Sequence, residues 1–202
     1  MCKKITIVHA VPCGGKSTIK SRLDGYDVLC VDMSDVLKEA GRKDPEISRL
    51  MEELAADRKL MPCKSVMQIF TSFLKENKRD RMVVFGAPRT LKQALEIVDH
   101  PELADFKVRS VLDLSVDLCV VESRFEERKL RSTREDDQVP WNVFKADRVD
   151  PFHESRHDIL KVFNHHKDWH VTCMSGDDDD SASKVANRLV KTMDLRLRQV
   201  AA

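Results

Sequence analysis

Short runs of β-branched and other apolar residues alternate along the chain with longer stretches in which apolar positions recur every three or four residues. The first pattern is that of strands buried on both faces, the second that of helices packed on a sheet. Ile5–Val8, Val28–Val31, Met82–Phe85, Val108–Leu114 and Trp169–Cys173 read as strands. Helices are predicted over 15–23, 34–40, 46–57, 64–78, 90–98, 116–130, 153–167 and 181–198. Such alternation predicts an α/β fold, a five-stranded parallel sheet with helices on both faces. Two stretches interrupt it. Residues 33–64 form a helical insert longer than a crossover requires, and residues 131–150 are charged, contain Pro140 and show no clear period. Charged segments of that kind beside a ligand site are candidate lids.

At 202 residues the chain fits one domain, and a net charge of +1 provides no bulk basic field for nucleic acid. No apolar run approaches the ~20 residues of a membrane span. The six cysteines (Cys2, Cys13, Cys30, Cys63, Cys119 and Cys173) form no C-x-x-C pair, which fits a reducing compartment better than a disulfide framework or a zinc ribbon. The first strand begins so near Met1 that no signal or transit peptide is expected, and the expected location is the cytoplasm. There is no internal repeat. The acidic tract Asp177–Asp180 reads as a solvated loop in which Asp180 or Ser181 caps the last helix, with metal binding as the alternative.

The first strand runs directly into Ala10-Val11-Pro12-Cys13-Gly14-Gly15-Lys16-Ser17-Thr18, after which Ile19 and Leu23 follow at helical spacing. A glycine-rich turn between strand and helix leaves backbone N–H groups unpaired, and these can cradle a polyphosphate. Gly14 and Gly15 allow close backbone approach, Lys16 can reach the outer phosphates, and the hydroxyl of Ser17 or Thr18 is placed for a magnesium ion. The general pattern is G-x-x-x-x-G-K-[ST]; Ala10 takes the place of its first glycine, where the turn could require a positive φ.

Two further clusters follow predicted strands. Gly86-Ala87-Pro88-Arg89-Thr90 places an arginine at the carboxyl end of the third strand, where its fork can hold a phosphate. Arg124, Arg128 and Arg131 recur on one face of the helix after the fourth strand, with Arg134 and Asp136-Asp137 just beyond. Taken alone, this is a solvated stripe balanced by Glu122, Glu126 and Glu127; beside a polyphosphate loop, it is a set of cations for a phosphoryl group in transfer. A competing motif, His153-Glu154-Ser155-Arg156-His157, spells the helical zinc pattern H-E-x-x-H, without the usual continuation.

Over nearly its whole length the chain resembles the adenylate kinase family of nucleoside monophosphate kinases. Pro12, Gly15, Lys16 and Thr18 match the family's phosphate loop, with Cys13 and Ser17 where the family has glycine. Phe85-Gly86-Ala87-Pro88-Arg89-Thr90 with Gln93 resembles its acceptor signature. Arg124, Arg128, Arg134, Asp136-Asp137 and Arg148 resemble its lid signature, while Ser34–Lys38 and Lys59–Pro62 resemble two shorter motifs. The resemblance implies a P-loop NTPase-type fold in one domain, with core 1–32, 65–128 and 151–202, an NMP-binding insert 33–64 and a short lid 129–150.

It further implies transfer of the γ-phosphoryl group of ATP, bound with Mg2+, to a nucleoside monophosphate, by a monomer. AMP is the first expectation, and a UMP/CMP kinase-like preference the alternative. The donor would be held by Pro12, Cys13, Gly14, Gly15, Lys16, Ser17, Thr18 and Arg124. The acceptor would be held by Met33, Lys38, Met61, Gly86, Arg89 and Gln93, with Gln93 reading the base. Arg124, Arg128, Arg134 and Arg148 would surround the transferred group, oriented by Asp136 and Asp137. Three positions depart from the family. Phe85 stands where it has a magnesium-steadying Asp, Met33 where it has Thr, and Lys38 where it has Arg. Asp32 or Asp113, each at a predicted strand end, could supply the missing carboxylate. Nucleotide binding without efficient turnover, and more remotely zinc hydrolysis through His153 and His157, are the other readings.

Overall fold

The continuous apolar run near the N-terminus takes the centre of the sheet. A computed structural model describes residues 2–133, 137–178 and 180–198 of the chain. Its strands are Lys4–Ala10 (β1), Leu29–Asp32 (β2), Arg81–Phe85 (β3), Val108–Ser115 (β4) and Trp169–Ser175 (β5). They lie in the order β2-β3-β1-β4-β5, all parallel. From Ile5 onward every residue of β1 is buried, as expected for a central parallel strand covered on both faces. In the edge strand β5 only Trp169 is buried, and the other residues are half-buried or exposed.

The helices are Lys16–Arg22 (α1), Met33–Lys43 (α2), Pro45–Ala56 (α3), Cys63–Glu76 (α4), Leu91–Val98 (α5), Leu118–Lys129 (α6), Trp141–Phe144 (α7), Asp150–His165 (α8) and Ser181–Met193 (α9). One face of the sheet packs Ile5, Ile7 and Val84 against Phe70 of α4, Ile97 of α5 and Phe163 of α8. The other packs Val8, Phe85 and Leu114 against Ile19 of α1, Phe125 of α6 and Leu189 of α9. The predicted strands and helices are all present, with ends shifted by a few residues. Helix α9 stops at Met193, short of the expected 198, because Asp194 turns left-handed at φ 53° and the chain beyond pairs Leu197 with Tyr26.

The stretch 131–150 differs from its reading as an aperiodic segment. Residues Lys145–Val149 form a π turn that joins α7 to α8, so Trp141–His165 is one continuous helical segment. The N–H of Asp150 bonds the carbonyl of Lys145, five residues back. The buried pair Phe144 and Val149 is spaced by the same five residues, which breaks the 3.6-residue rhythm that marks a helix in sequence. Pro151, one turn on, has no N–H to donate and favours such an irregularity. Phe144 and Val149 pack with the α1–α6–α9 face, whereas Ile159 and Phe163 pack with the opposite one. The segment therefore crosses over an edge of the sheet, carrying Asp147 and Arg148 with it.

Helices α2 and α3 form an arm beside the edge strand β2. Asp32 caps α2 by accepting from Ser34 N at 2.9 Å, and Asp44 caps α3 by accepting from Glu46 N at 2.9 Å. The two helices approach closely at Gly41, where an added Cβ would lie 3.4 Å from Met51 Sδ. None of the α3 residues is buried. Between the arm, α4 and β2 lies an open cavity of about 830 Å3, lined in part by Val36, Ile47, Leu50, Ile69 and Phe73.

Candidate active site

Because all five strands are parallel, their carboxyl ends share one edge, and the loops that leave them meet there. The loop after β1 is built on two left-handed residues, Cys13 at φ 61° and Gly15 at φ 88°. Gly14 donates its N–H to Val11 O at 2.9 Å, and a Cβ there would sit 2.8 Å from that same carbonyl oxygen, so only glycine fits. Ala10 needs no special conformation, because it is the last residue of β1 and pairs with Leu114. The left-handed turn expected at position 10 is made at 13 and 15 instead.

Lys16 opens α1 and folds back over the loop, donating from Nζ to the carbonyls of Ala10 (2.8 Å) and Val11 (2.7 Å). One of its three protons is left for a ligand. Burial and then the neighbouring Arg89 charge lower its pKa from 10.5 to about 8, against the opposing influence of Cys13 and Asp32. Ser17 and Thr18 are exposed, and their hydroxyls make no hydrogen bond among the described residues. The Cys13 thiol has its pKa raised, chiefly by burial and also by Asp137, while Arg128, Lys16 and Arg124 pull the other way. Lys16, Arg89, Arg124, Arg128, Asp32 and Asp137 thus share one electrostatic environment around the loop.

After β3, Gly86 turns left-handed at φ 77° and a cis Ala87–Pro88 bond leads to Arg89. The exposed Arg89 donates from Nε to Gly86 O at 3.1 Å. Thr90 caps α5 by accepting from Gln93 N at 3.2 Å, and Gln93 Oε1 accepts from Arg89 N at 2.7 Å. This reciprocal arrangement is close to a capping box. Buried Gln93 therefore orients the Arg89 backbone, a structural duty that its reading as a base contact did not include.

On α6, Arg128 forms an ion pair with buried Asp137, which also accepts from Ser132 Oγ at 2.6 Å. The Arg128 guanidinium lies 5.5 Å from the centre of the Phe144 ring. Arg124 reaches toward the carbonyls of Asp177 and Asp178 in the loop after β5. Arg148 is half-buried in the π turn. Arg134 and Asp136 lie outside the described residues. Of the acceptor-side residues, Lys38 is exposed on α2 and Met61 packs against the core. Met33 is 2% exposed and belongs to the core, so it offers little surface to a ligand.

The two candidate carboxylates have very different surroundings. Asp113 is fully buried, 2.9 Å from His9 Nδ1, and both its oxygens accept from Arg156 Nε at 3.2 Å. Burial would raise its pKa, but the His9 and Arg156 hydrogen bonds outweigh this and hold it below the usual value. Asp113 is therefore committed within the protein and cannot serve as the free carboxylate. The sequence did carry a signal for this network, since His9 follows the apolar pair Ile7-Val8 and Asp113 stands between Leu112 and Leu114. Asp32 is half-buried, and among the described residues it accepts hydrogen bonds from Ser34 N and Ser34 Oγ alone, both to Oδ1.

The free oxygens around the loop are hydroxyl and carboxylate donors, the type that suits magnesium. No group of three or more His, Cys, Asp or Glu side chains able to hold a metal occurs among the described residues. The donor set thus fits a cation that arrives with a phosphate ligand. His153 and His157 lie on α8 with no third ligand to complete a zinc site among those residues. In the acidic tract, Asp177 accepts from Asp117 N at 2.6 Å and Ser175 Oγ at 2.9 Å, and Asp178 pairs with Lys184 at 2.7 Å. Neither expected cap forms: Asp180 makes no side-chain cap, and Ser181 Oγ donates to Gly176 O at 3.0 Å.

Comparison with known proteins finds adenylate kinases. The chain is 23% identical to an adenylate kinase of Campylobacter hominis over 167 residues, 80% of this chain and 83% of that protein. It is 22% identical to an adenylate kinase of Campylobacter concisus over 169 residues, 80% of this chain and 89% of that protein. No protein-family model matches the chain. With that likeness spread over four-fifths of its length and an all-parallel α/β fold of the P-loop NTPase type, the chain is distantly similar to adenylate kinases.

Proposed function

We propose that the protein catalyses reversible transfer of the γ-phosphoryl group of ATP to a nucleoside monophosphate, with AMP the favoured acceptor. The observation that carries this reading is the gathering of Lys16, Arg89, Arg124 and Arg128 around one glycine-rich loop. Phosphoryl transfer is catalysed almost entirely by positioning and by cations set around the migrating group. An oxygen of the acceptor phosphate attacks the γ-phosphorus, the bond to the β–γ bridging oxygen breaks, and the electron pair leaves with ADP. No general base is needed, because a phosphate monoester with a second pKa of about 6 is already ionised at neutral pH.

In this scheme the Cys13, Gly14 and Gly15 amides and Lys16 hold the donor phosphates, in a loop shaped by Pro12. Ser17 and Thr18 offer hydroxyls to the magnesium that accompanies ATP, whose chemistry is to neutralise phosphate charge. Arg89 and Lys38 hold the acceptor phosphate, with Gly86 leaving room beside it and Met61 backing the base side. Gln93 keeps its side-chain amine for the base, while its oxygen holds the Arg89 amide. Arg124, Arg128, Arg134 and Arg148 surround the transferred group, steadied by Asp136 and Asp137. Residues 33–64 close over the acceptor and 129–150 act as the lid, excluding water. A monomer working in the cytoplasm completes the reading, consistent with six free cysteines.

A coupled assay with ATP, Mg2+ and AMP, CMP, UMP, GMP or dTMP tests the proposal, and turnover should be fastest with AMP. A higher rate with UMP or CMP would reassign the acceptor. ATP binding with no turnover on any acceptor would favour a nucleotide-binding role, to which the exposed Lys38 and the buried Phe85 already lend some weight.

A further inference from the structure

A magnesium ion that travels with nucleotide phosphates keeps most of its waters and takes one or two carboxylates from the protein. Several described carboxylates stand near the carboxyl edge, and those of Asp113, Asp137 and Asp35 are already engaged. Asp113 is locked by His9 and Arg156, and Asp137 is buried against Arg128 and Ser132. Asp35 is exposed and paired with Lys20 at 2.9 Å. Asp32, at the end of β2, differs from these three in that its Oδ2 makes no hydrogen bond among the described residues.

The position of Asp32 suits the task. Strand β3, the neighbour of β1, ends in Phe85, which is fully buried and has no oxygen to offer. One strand further out, β2 ends in Asp32, which is the direct register partner of Phe85. Asp32 Oδ1 and Arg89 NH2 flank Gly86, lying 3.5 Å and 3.8 Å from where a Cβ of that glycine would be. Asp32 also lines the open cavity beside the arm, so water and ions can reach it.

We propose that Asp32 is the carboxylate through which this protein anchors the hydrated magnesium of its bound nucleotide, with Oδ1 retained as the α2 cap and Oδ2 turned to the metal's water shell. This rests on the phosphotransfer reading. Oδ2 accepts hydrogen bonds from metal-bound water, so the carboxylate orients the complex without entering the first coordination sphere.

The test is Mn2+ binding followed by electron paramagnetic resonance, with Mn2+ substituting for magnesium, on the full chain with and without ATP. Asp32→Asn preserves the cap, because Asn and Asp are equally good there. The expected result is a loss of about tenfold in Mn2+ affinity for the protein–ATP complex, roughly the 1.4 kcal/mol of one charge-assisted hydrogen bond. ATP affinity without metal should stay within about twofold of wild type, and Asp35→Asn should leave both values unchanged. Unchanged Mn2+ affinity in Asp32→Asn, or a loss seen in Asp35→Asn instead, overturns the assignment but leaves the phosphotransfer reading intact. Failure of the unmutated protein to bind ATP with or without Mn2+ overturns both.

Discussion

The loop after β1 and the arm of α2 and α3 flank the same edge of the sheet but are held in different ways. The loop springs from the most buried strand, its glycine fits against a carbonyl, and its lysine is tied to two backbone oxygens. The arm is anchored by Met33 and Val36 at the start of α2, but its outer helix α3 has no buried residue, and a cavity of about 830 Å3 opens between the arm, α4 and β2. Few buried apolar contacts mean a low free energy of local opening. With the donor on the loop and the acceptor on the arm, as proposed, the donor side is the preorganised one and α3 the one that opens more readily. That division suits a transfer in which the loop must be ready for charge while the acceptor must enter and leave.

The largest expected effect comes from the rigid side. Lys16→Ala should lower turnover by ~100-fold or more, since it deletes a positioned charge that in the proposed scheme holds the donor phosphates. Circular dichroism should stay unchanged, and full activity in this variant would remove the loop from the mechanism. Arg89→Ala comes next. It should raise the KM for the monophosphate by about tenfold while the KM for ATP moves less than about twofold. Equal shifts in the two constants would place Arg89 with the donor and erase the proposed division of labour.

A third effect is a pH dependence confined to the loop. Without ligand, the Lys16 pKa is lowered to about 8, so above that pH ATP must bind a neutral lysine or bring a proton with it. Apparent ATP affinity should therefore fall as pH rises through 8, and calorimetry in buffers of different ionisation enthalpy should show proton uptake. For stability the sign is opposite. Between pH 8 and 10.5 the unfolded chain binds more protons at this lysine than the folded one, so Lys16 makes the unligated fold more stable as pH rises through that window. Lys16→Arg keeps its charge throughout and should abolish the pH dependence of binding.

How much of this was legible in the sequence follows from the same contrast. The phosphate loop could be read because strand, glycine turn and helix are local, and Lys16 and its neighbours are contiguous. The five strands were legible because buried parallel strands are continuous apolar runs. The π turn at Lys145–Val149 was not, because its five-residue spacing resembles neither a helix nor a strand. The capping duty of Gln93 and the burial of Met33 depend on packing between segments far apart in the chain. The difference between Asp32 and Asp113 is of the same kind. Both are acids at predicted strand ends, and it takes His9 on β1 and Arg156 arriving from α8 to make Asp113 the committed carboxylate of the two.

The smallest expected effect concerns the contact that joins the arm to the helical segment crossing the sheet. Arg58 follows α3 in a left-handed conformation at φ 54° and donates to Asp147 Oδ2 in the π turn at 2.8 Å. The pair is partly exposed, so its contribution to global stability is about 0–1 kcal/mol. Arg58→Ala should therefore move the melting temperature by only a few degrees at most, close to the limit for a domain of this size. Its effect on the arm should be larger, because α3 has so little else holding it. Amide exchange in Pro45–Ala56 should accelerate several-fold while exchange in Lys4–Ala10 stays the same. Equal acceleration in both segments would show that arm and loop open together, and the contrast between a rigid donor side and a mobile acceptor side would fail.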